Sequence, residues 1–177
     1  MTLQLPQLRL QSAWKECERH VHHMFHAMWL FRALWPLTAE RYATLTDDQI
    51  QTIDQFILRF TKLQDVVGGR LFPALLQYLE EPYDDRPMLD KLHRLEKLGF
   101  IESTEKWQRI RDIRNKFAHD YPDDMEKNAE YLNLACEAAL DLHDILHAIP
   151  ARLTQECPEM ALGKALPENI PEWIRQR

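Results

Sequence analysis

Apolar residues recur at helical spacing along most of the chain. Leu10, Trp14, Cys17, Val21, Met24, Met28, Phe31 and Trp35 follow one another at intervals of four and three, a bundle seam that predicts one long helix closed by Pro36. Thr46-Asp47-Asp48-Gln49 has the form of a capping box with acids in the first turn, so a second helix should open at Thr46. Its buried face should carry Ile50, Ile53, Ile57, Phe60, Leu63 and Val67. Gly68-Gly69 should break or bend that helix, with Leu71, Leu75 and Tyr78 continuing the pattern beyond it. Gly68-Gly69 is no phosphate loop, because neither a preceding strand nor the Lys-Ser/Thr of a P-loop accompanies it.

The polar run 80–87, bounded by Pro82 and Pro87, reads as a linker. A third helix should then turn Met88 or Leu89, Leu92, Leu95 and Leu98 inward, with Gly99 placed for a left-handed cap. Ser103 or Thr104 should open a fourth, with Trp107, Ile110, Ile113 and Phe117 toward the core. Asp123 or Asp124 should cap a fifth that carries Met125, Leu132, Cys136, Ala139, Leu142, Leu146 and Ile149 as far as Pro150. No internal repeat and no strand pattern stands out. The expectation is an all-α, up-and-down bundle of four long helices with additional short helices over residues 1–150. Residues 151–177, punctuated by prolines, should form a partly helical tail packed on the bundle or on a partner.

A chain of 177 residues with 45% apolar and 28% charged residues suits one ordinary globular domain. Its net charge of −6 does not favour avid nonspecific binding to nucleic acid, which depends on a basic footprint, so an RNA-directed activity would need a local patch. Lys106, Arg109, Arg111, Arg114 and Lys116 provide one, diluted by Asp112, Asp120, Asp123 and Asp124. Cys17, Cys136 and Cys157 are odd in number and lack metal-ligand spacing, which suits reduced thiols. No basic leader precedes an apolar core at the N-terminus, and no apolar run approaches the ~18 residues of a membrane span, so a cytoplasmic protein is expected.

Two histidine groups invite a metal. His22 and His26 lie one helical turn apart, but with His20 and His23 they fall off the seam, which favours solvated-face histidines. His143-Asp144-Ile145-Leu146-His147 imitates the HExxH zinc pattern, yet aspartate is a shorter base than glutamate, Leu146 is needed in the core, and no third ligand is evident. A peripheral polar face is the preferred reading there, and no metal site is expected.

The densest chemistry lies in residues 111–122, where Arg114, Asn115, His119 and Tyr121 fall within eight positions. A helix running on past His119 would splay Arg114 and His119 onto different faces, since each residue advances ~100°. Pro122 disfavours helical backbone at Tyr121 and should end the helix first, leaving His119 at or just beyond the last turn, within reach of the guanidinium. Arginine offers forked donors to phosphate oxygens, and histidine can exchange a proton near neutrality. That pair suits RNA cleavage in which an activated 2′-hydroxyl attacks the adjacent phosphorus. Equally, an arginine and a histidine near a helix C-terminus are favoured by the macrodipole alone. Arg114, seven after Trp107, lies at the edge of the apolar stripe, where it needs a buried partner, a dimer seam or a phosphate.

The run Arg114-Asn115-Lys116-Phe117-Ala118-His119 resembles the Arg-x4-His signature of HEPN domains, and with Asp120 and Tyr121 it extends to the Arg-x4-His-x-Tyr form of HepT-type toxins in HEPN/MNT toxin–antitoxin systems. The lead-in from Leu92 to Ile101, with Trp107 and Arg111, is similar to the helix pair that precedes the motif in bacterial HepT-like proteins, so the likeness covers roughly residues 5 to 150. The resemblance implies an all-α homodimer in which Arg and His of both protomers line one cleft, forming a metal-independent endoribonuclease without a cofactor. It assigns Arg114 and His119 as the catalytic pair and Asn115 as the polar residue beside them. Tyr121 matches the tyrosine that an MNT-type nucleotidyltransferase antitoxin modifies with AMP to silence the toxin. Asp65 is the candidate for the acidic residue that family members carry on an earlier helix, and Arg111 and Lys116 are candidate RNA contacts. Two rivals stand beside this: a non-catalytic HEPN module that binds a nucleotidyltransferase or nucleotide, and a structural helical protein whose motif merely closes a helix.

Overall fold

The computed structural model describes residues 5–117, 124–163, 166 and 172–175. Among these the chain is all-helical, with no strand. Helix α1 (Leu5–Leu30) is followed by a 3-10 turn (Arg32–Leu34), α2 (Ala39–Ala43), α3 (Asp47–Val66), a π turn (Val67–Leu71), α4 (Phe72–Tyr78), α5 (Met88–Lys97), α6 (Thr104–Lys116), α7 (Met125–Glu156) and the short α8 (Glu172–Arg175).

The seam of α1 is buried along its length, from Leu10 through Phe31. The α-helix itself stops at Leu30, short of the expected Trp35. Pro36 requires an extended residue before it, and Trp35 takes ψ 139, so the intervening residues tighten into the 3-10 turn. Beyond it, Leu37 N–H donates to Asn133 Oδ1 at 2.9 Å and Asn133 Nδ2 donates to the Leu37 carbonyl at 2.8 Å, which pins this corner to α7. Sequence periodicity gave no sign of α2, whose five residues are capped by the Thr38 side chain.

Helix α3 opens on the expected capping box, Thr46 Oγ1 accepting from Gln49 N–H and Gln49 Oε1 from Thr46 N–H. Ile53, Phe60, Leu63 and Val67 are buried as expected, but Phe56 joins them fully buried while Ile57 is half-buried and Ile50 exposed. The glycine pair does not break the helix. It lies in the π turn, with right-handed backbone at Val66, Val67, Leu71 and Phe72, so α3 runs on into α4 without a break. Pro73 near the start of α4 is tolerated because a π turn already displaces the i→i−4 ladder there.

Gly68 explains the turn's value. A Cβ at that position would lie 2.9 Å from Cζ2 of Trp107, so a bare backbone admits the indole of α6. Trp107 is 1% exposed and also packs on Phe72, ring centroids 4.8 Å apart. Farther along α6, Arg114 meets Asp65 and Phe117 meets Phe60, which sets α6 antiparallel to α3. Helix α1 is antiparallel to α3 too, through Glu16 with Arg70, His20 with Arg59 and Phe31 with Phe56. Lys106 with Asp141 and Lys116 with Tyr131 set α7 antiparallel to α6.

The junction between α5 and α6 follows the sequence closely. Gly99 takes φ 77, Phe100 N–H donates to Leu95 O at 2.9 Å and Gly99 N–H to Glu96 O at 3.0 Å, a Schellman closure. Ser103 then caps α6 by accepting from Lys106 N–H, and Glu96 accepts from Thr104 N–H at 2.8 Å.

Helix α7 starts at Asp124, whose side chain accepts from Lys127 N–H, and passes through Pro150 to Glu156. Proline deprives the Leu146 carbonyl of its donor, yet burial of Ile149 and Leu153 on either side holds the helix together. Residues 151–156 thus belong to α7 and not to a separate tail. Past it, Met160, Leu162, Leu166 and Ile174 are buried in the same core, and Trp173 lies against Trp35, centroids 5.6 Å apart. Met125, read as a core position, is exposed near the first turn of its helix, and of Met88 and Leu89 it is Met88 that packs against the core.

Both histidine readings need correction. His20 is 6% exposed between α1 and α3, and His143 is fully buried on α7 beside Phe25, ring centroids 5.3 Å apart. Each helix packs against neighbours on more than one side, so its buried arc is wider than a single seam. His22 and His26 are exposed as expected, and among the described residues no group of three metal-ligating side chains comes together. No described helix is long and apolar enough to cross a membrane.

Candidate functional site at the C-terminal end of helix α6

The last turn of α6 carries the motif arginine because Trp107, two turns earlier, locks the helix against the π turn. Arg114 thereby reaches α3, and its Nη2 donates to Asp65 Oδ2 at 2.9 Å. Nη1 lies 3.4 Å from Asn115 Oδ1, a long contact that keeps the amide beside the guanidinium. The arginine side chain is 27% exposed and Asp65 43% exposed, so the pair sits at the rim of the α3–α6 groove. Nε of Arg114 is buried and has no hydrogen-bond partner among the described residues. The arginine is therefore oriented by a carboxylate.

Helix α6 ends at Lys116, and Phe117 closes it by donating its N–H to the Arg114 carbonyl at 3.2 Å. Phe117 packs edge-on against Phe60, centroids 6.4 Å apart, which carries the chain out of the helix next to α3. His119 and Tyr121, with Ala118, Asp120, Pro122 and Asp123, lie outside the described residues. The expected approach of His119 to Arg114 is thus not described.

The basic patch is less uniform than its sequence suggests. Lys106 Nζ is engaged by Glu102 at 3.0 Å and Asp141 at 3.2 Å, and Lys116 Nζ sits 4.7 Å above the Tyr131 ring. Arg109 and Arg111 are exposed and make no ion pair with a described residue. Among the described residues Arg111 thus has no ionic partner, whereas Lys116 already has an aromatic neighbour.

An open groove of about 670 Å³ lies elsewhere, between Arg9 and Ala13 of α1 and Pro73 and Gln77 of α4, and includes none of the motif residues. The cysteines bring no chemistry to the site. Burial, with Glu16 adding to it, pushes the Cys17 thiol up to about 12, and burial also raises Cys136 well above its ordinary value.

One residue beyond those singled out in sequence stands out. Arg59 of α3 places Nη1 3.4 Å from His20 Nδ1, keeps its Nε buried without a hydrogen-bond partner and forms no ion pair with a described residue. Its position within an apolar helix face, flanked by Phe56 and Phe60, was the available signal. Compared with protein-family models, with curated proteins and with solved structures, the chain matches none.

Proposed function

We propose that the chain is a HEPN-type endoribonuclease, the toxin of a HEPN/MNT-type toxin–antitoxin pair, with Arg114 and His119 as its catalytic residues. The observation that carries this reading is the ion pair between Arg114 and Asp65: an arginine of the Arg-x4-His-x-Tyr run is held at a groove rim by an acid from an earlier helix. The alternating directions of α1, α3, α6 and α7 support the finer reading of the fold as an up-and-down four-helix bundle of HEPN type.

In the proposed reaction His119 accepts the proton of a ribose 2′-hydroxyl, and the resulting oxygen attacks the adjacent phosphorus. Arg114 holds the added negative charge on the phosphoryl oxygens. The bond to the 5′-oxygen breaks and that oxygen takes up a proton, so the products are a 2′,3′-cyclic phosphate and a 5′-hydroxyl. Two copies pair so that both sets of motif residues line one cleft. Asn115 positions the phosphate or the imidazole, and Arg111 and Lys116 hold flanking RNA. Transfer of AMP to Tyr121 by the nucleotidyltransferase partner would place a charged, bulky group two residues from His119 and close the site.

A second reading keeps the HEPN module without cleavage, with the cluster holding the phosphate of AMP. His119→Ala separates the two. Loss of RNA cleavage or growth arrest with unchanged helical circular dichroism supports the nuclease, and equal activity in the variant removes it. One AMP mass shift on Tyr121 in the presence of a nucleotidyltransferase and ATP supports the proposed silencing, and modification elsewhere contradicts it.

A further inference from the structure

The exposed residues of α1 between Ser12 and Leu30 are Lys15, Arg19, His22, His26 and Trp29. They follow one another at intervals of four, three, four and three, so they form one stripe along the helix. The stripe spans fourteen steps of 1.5 Å, about 21 Å. None of its members is acidic, in a chain whose net charge is −6. The two acids on this stretch of α1 are turned to other work: Glu16 pairs with Arg70, and Glu18 accepts from Trp14 Nε1 at 3.2 Å.

Helix α3, packed alongside, adds to the positive side. Arg59 reaches His20, and Lys62 is exposed one turn farther on. Arg19, Arg59 and Lys62 make no ion pair with a described residue. The histidines register the crowding: His20 and His23 are both held below their ordinary value of 6.5, by burial first and next by Arg59, with Arg19 also contributing to each. At one end of the stripe Trp29 is 54% exposed, and the Arg32 guanidinium lies 3.8 Å from its ring centroid. Lys15 and Arg19 on the stripe, Arg59 and Lys62 beside it and a half-exposed aromatic ring at its end are what single-stranded nucleic acid needs, phosphates meeting the charges and a base stacking on the ring. A membrane surface fits less well, because between Lys15 and His26 the stripe has no apolar side chain to insert.

We propose that this outward face of α1, with Arg59 and Lys62 of α3, is a binding track for single-stranded RNA, distinct from the Arg114 site. The choice of RNA over DNA rests on the ribonuclease reading above. Lys62 and Asp65 are three residues apart on α3, so the track leads along that helix to the acid that holds Arg114. RNA bound there would be fed toward the site.

The test is the binding of a fluorescent uridine oligomer of about 12 nucleotides with 2′-O-methyl sugars, which the attack chemistry cannot cut, to the full chain over a salt series. Tight binding at low salt is expected, and Arg19→Ala and Lys62→Ala should each reduce the log–log salt slope by about 0.7. Trp29→Ala should weaken binding roughly tenfold and Trp29→Phe should restore most of it. Circular dichroism checks that these surface variants remain folded. The proposal is overturned if the oligomer does not bind, if the cation variants leave the slope unchanged, or if phosphatidylserine vesicles are captured while the oligomer is not. Retained binding without cleavage of ordinary RNA would remove the ribonuclease reading and leave the track standing.

Discussion

Arg114 on α6 donates to Asp65 on α3 across a sequence separation of 49 residues, and the bond fixes the direction of the motif arginine. A partly exposed pair of this kind contributes only about 0–1 kcal/mol to the fold. Its consequence should thus appear in function and not in stability. Asp65→Ala removes the orienting acceptor and should lower kcat for RNA cleavage roughly tenfold, one decade per ~1.4 kcal/mol of lost positioning. Asp65→Asn keeps an acceptor but removes the negative charge, and should lower KM while retaining most of kcat. Steady-state kinetics on the two variants, with melting temperatures alongside, read this out; identical behaviour of Ala and Asn would contradict the orienting role.

Gly68 and Gly69 are neighbours with opposite expectations. A methyl at Gly68 meets the Trp107 ring at 2.9 Å, whereas nothing lies within 4 Å of one at Gly69. Gly68→Ala should destabilise the protein by about 1–3 kcal/mol through overpacking. Gly69→Ala should stabilise it by roughly 0.5–1 kcal/mol through the reduced freedom of the unfolded chain. Urea denaturation of both variants is the measurement, and equal midpoints would contradict the described contact.

How far these features were legible in sequence differs by kind. The α1 seam, the Thr46 box, the Gly99 closure and the Ser103 cap were all readable, because each depends on residues within one or two turns. The packing of Trp107 on Gly68 was not, since it joins helices whose register periodicity does not encode. The same limit applies to the site: Arg114 at the stripe edge pointed to a partner, and the HEPN likeness prompted Asp65, but no spacing rule connects them. His20 and His143 were misplaced because a polar ring was assigned to the outside of helices that are in fact buried on several sides. Pro150 was read as a stop, although flanking apolar residues outweigh one lost hydrogen bond.

Burial of His20 has a pH consequence. Its folded value lies below its ordinary 6.5, so below that pH the unfolded chain takes up more protons than the native one. Stability should therefore be complete above about 6.5 and decline as pH falls through that value toward the folded one. His20→Gln should flatten this part of the profile. Urea midpoints at a neutral and a mildly acidic pH test it, and an unchanged slope in the variant would contradict the assignment.

Thiol reactivity should rank by burial. Cys17 and Cys136 are fully buried and their thiols are raised by that burial, while Cys157, also raised by burial and by Glu159 and Glu156, is only half-buried. Native protein should therefore be alkylated first at Cys157, with the other two reacting only in denaturant. Peptide mass mapping after brief alkylation decides it, and early labelling of Cys136 would contradict the described core.

The central claim is attack by a ribose 2′-hydroxyl on phosphorus at Arg114 and His119. Its most direct test is cleavage, in the presence of a chelator, of an RNA compared with the same strand carrying a single 2′-deoxy sugar at the scission position. The account predicts cutting of the first to a 2′,3′-cyclic phosphate and a 5′-hydroxyl, and none of the second at that position. Equal cutting of both strands, or products ending in a 5′-phosphate, would contradict it.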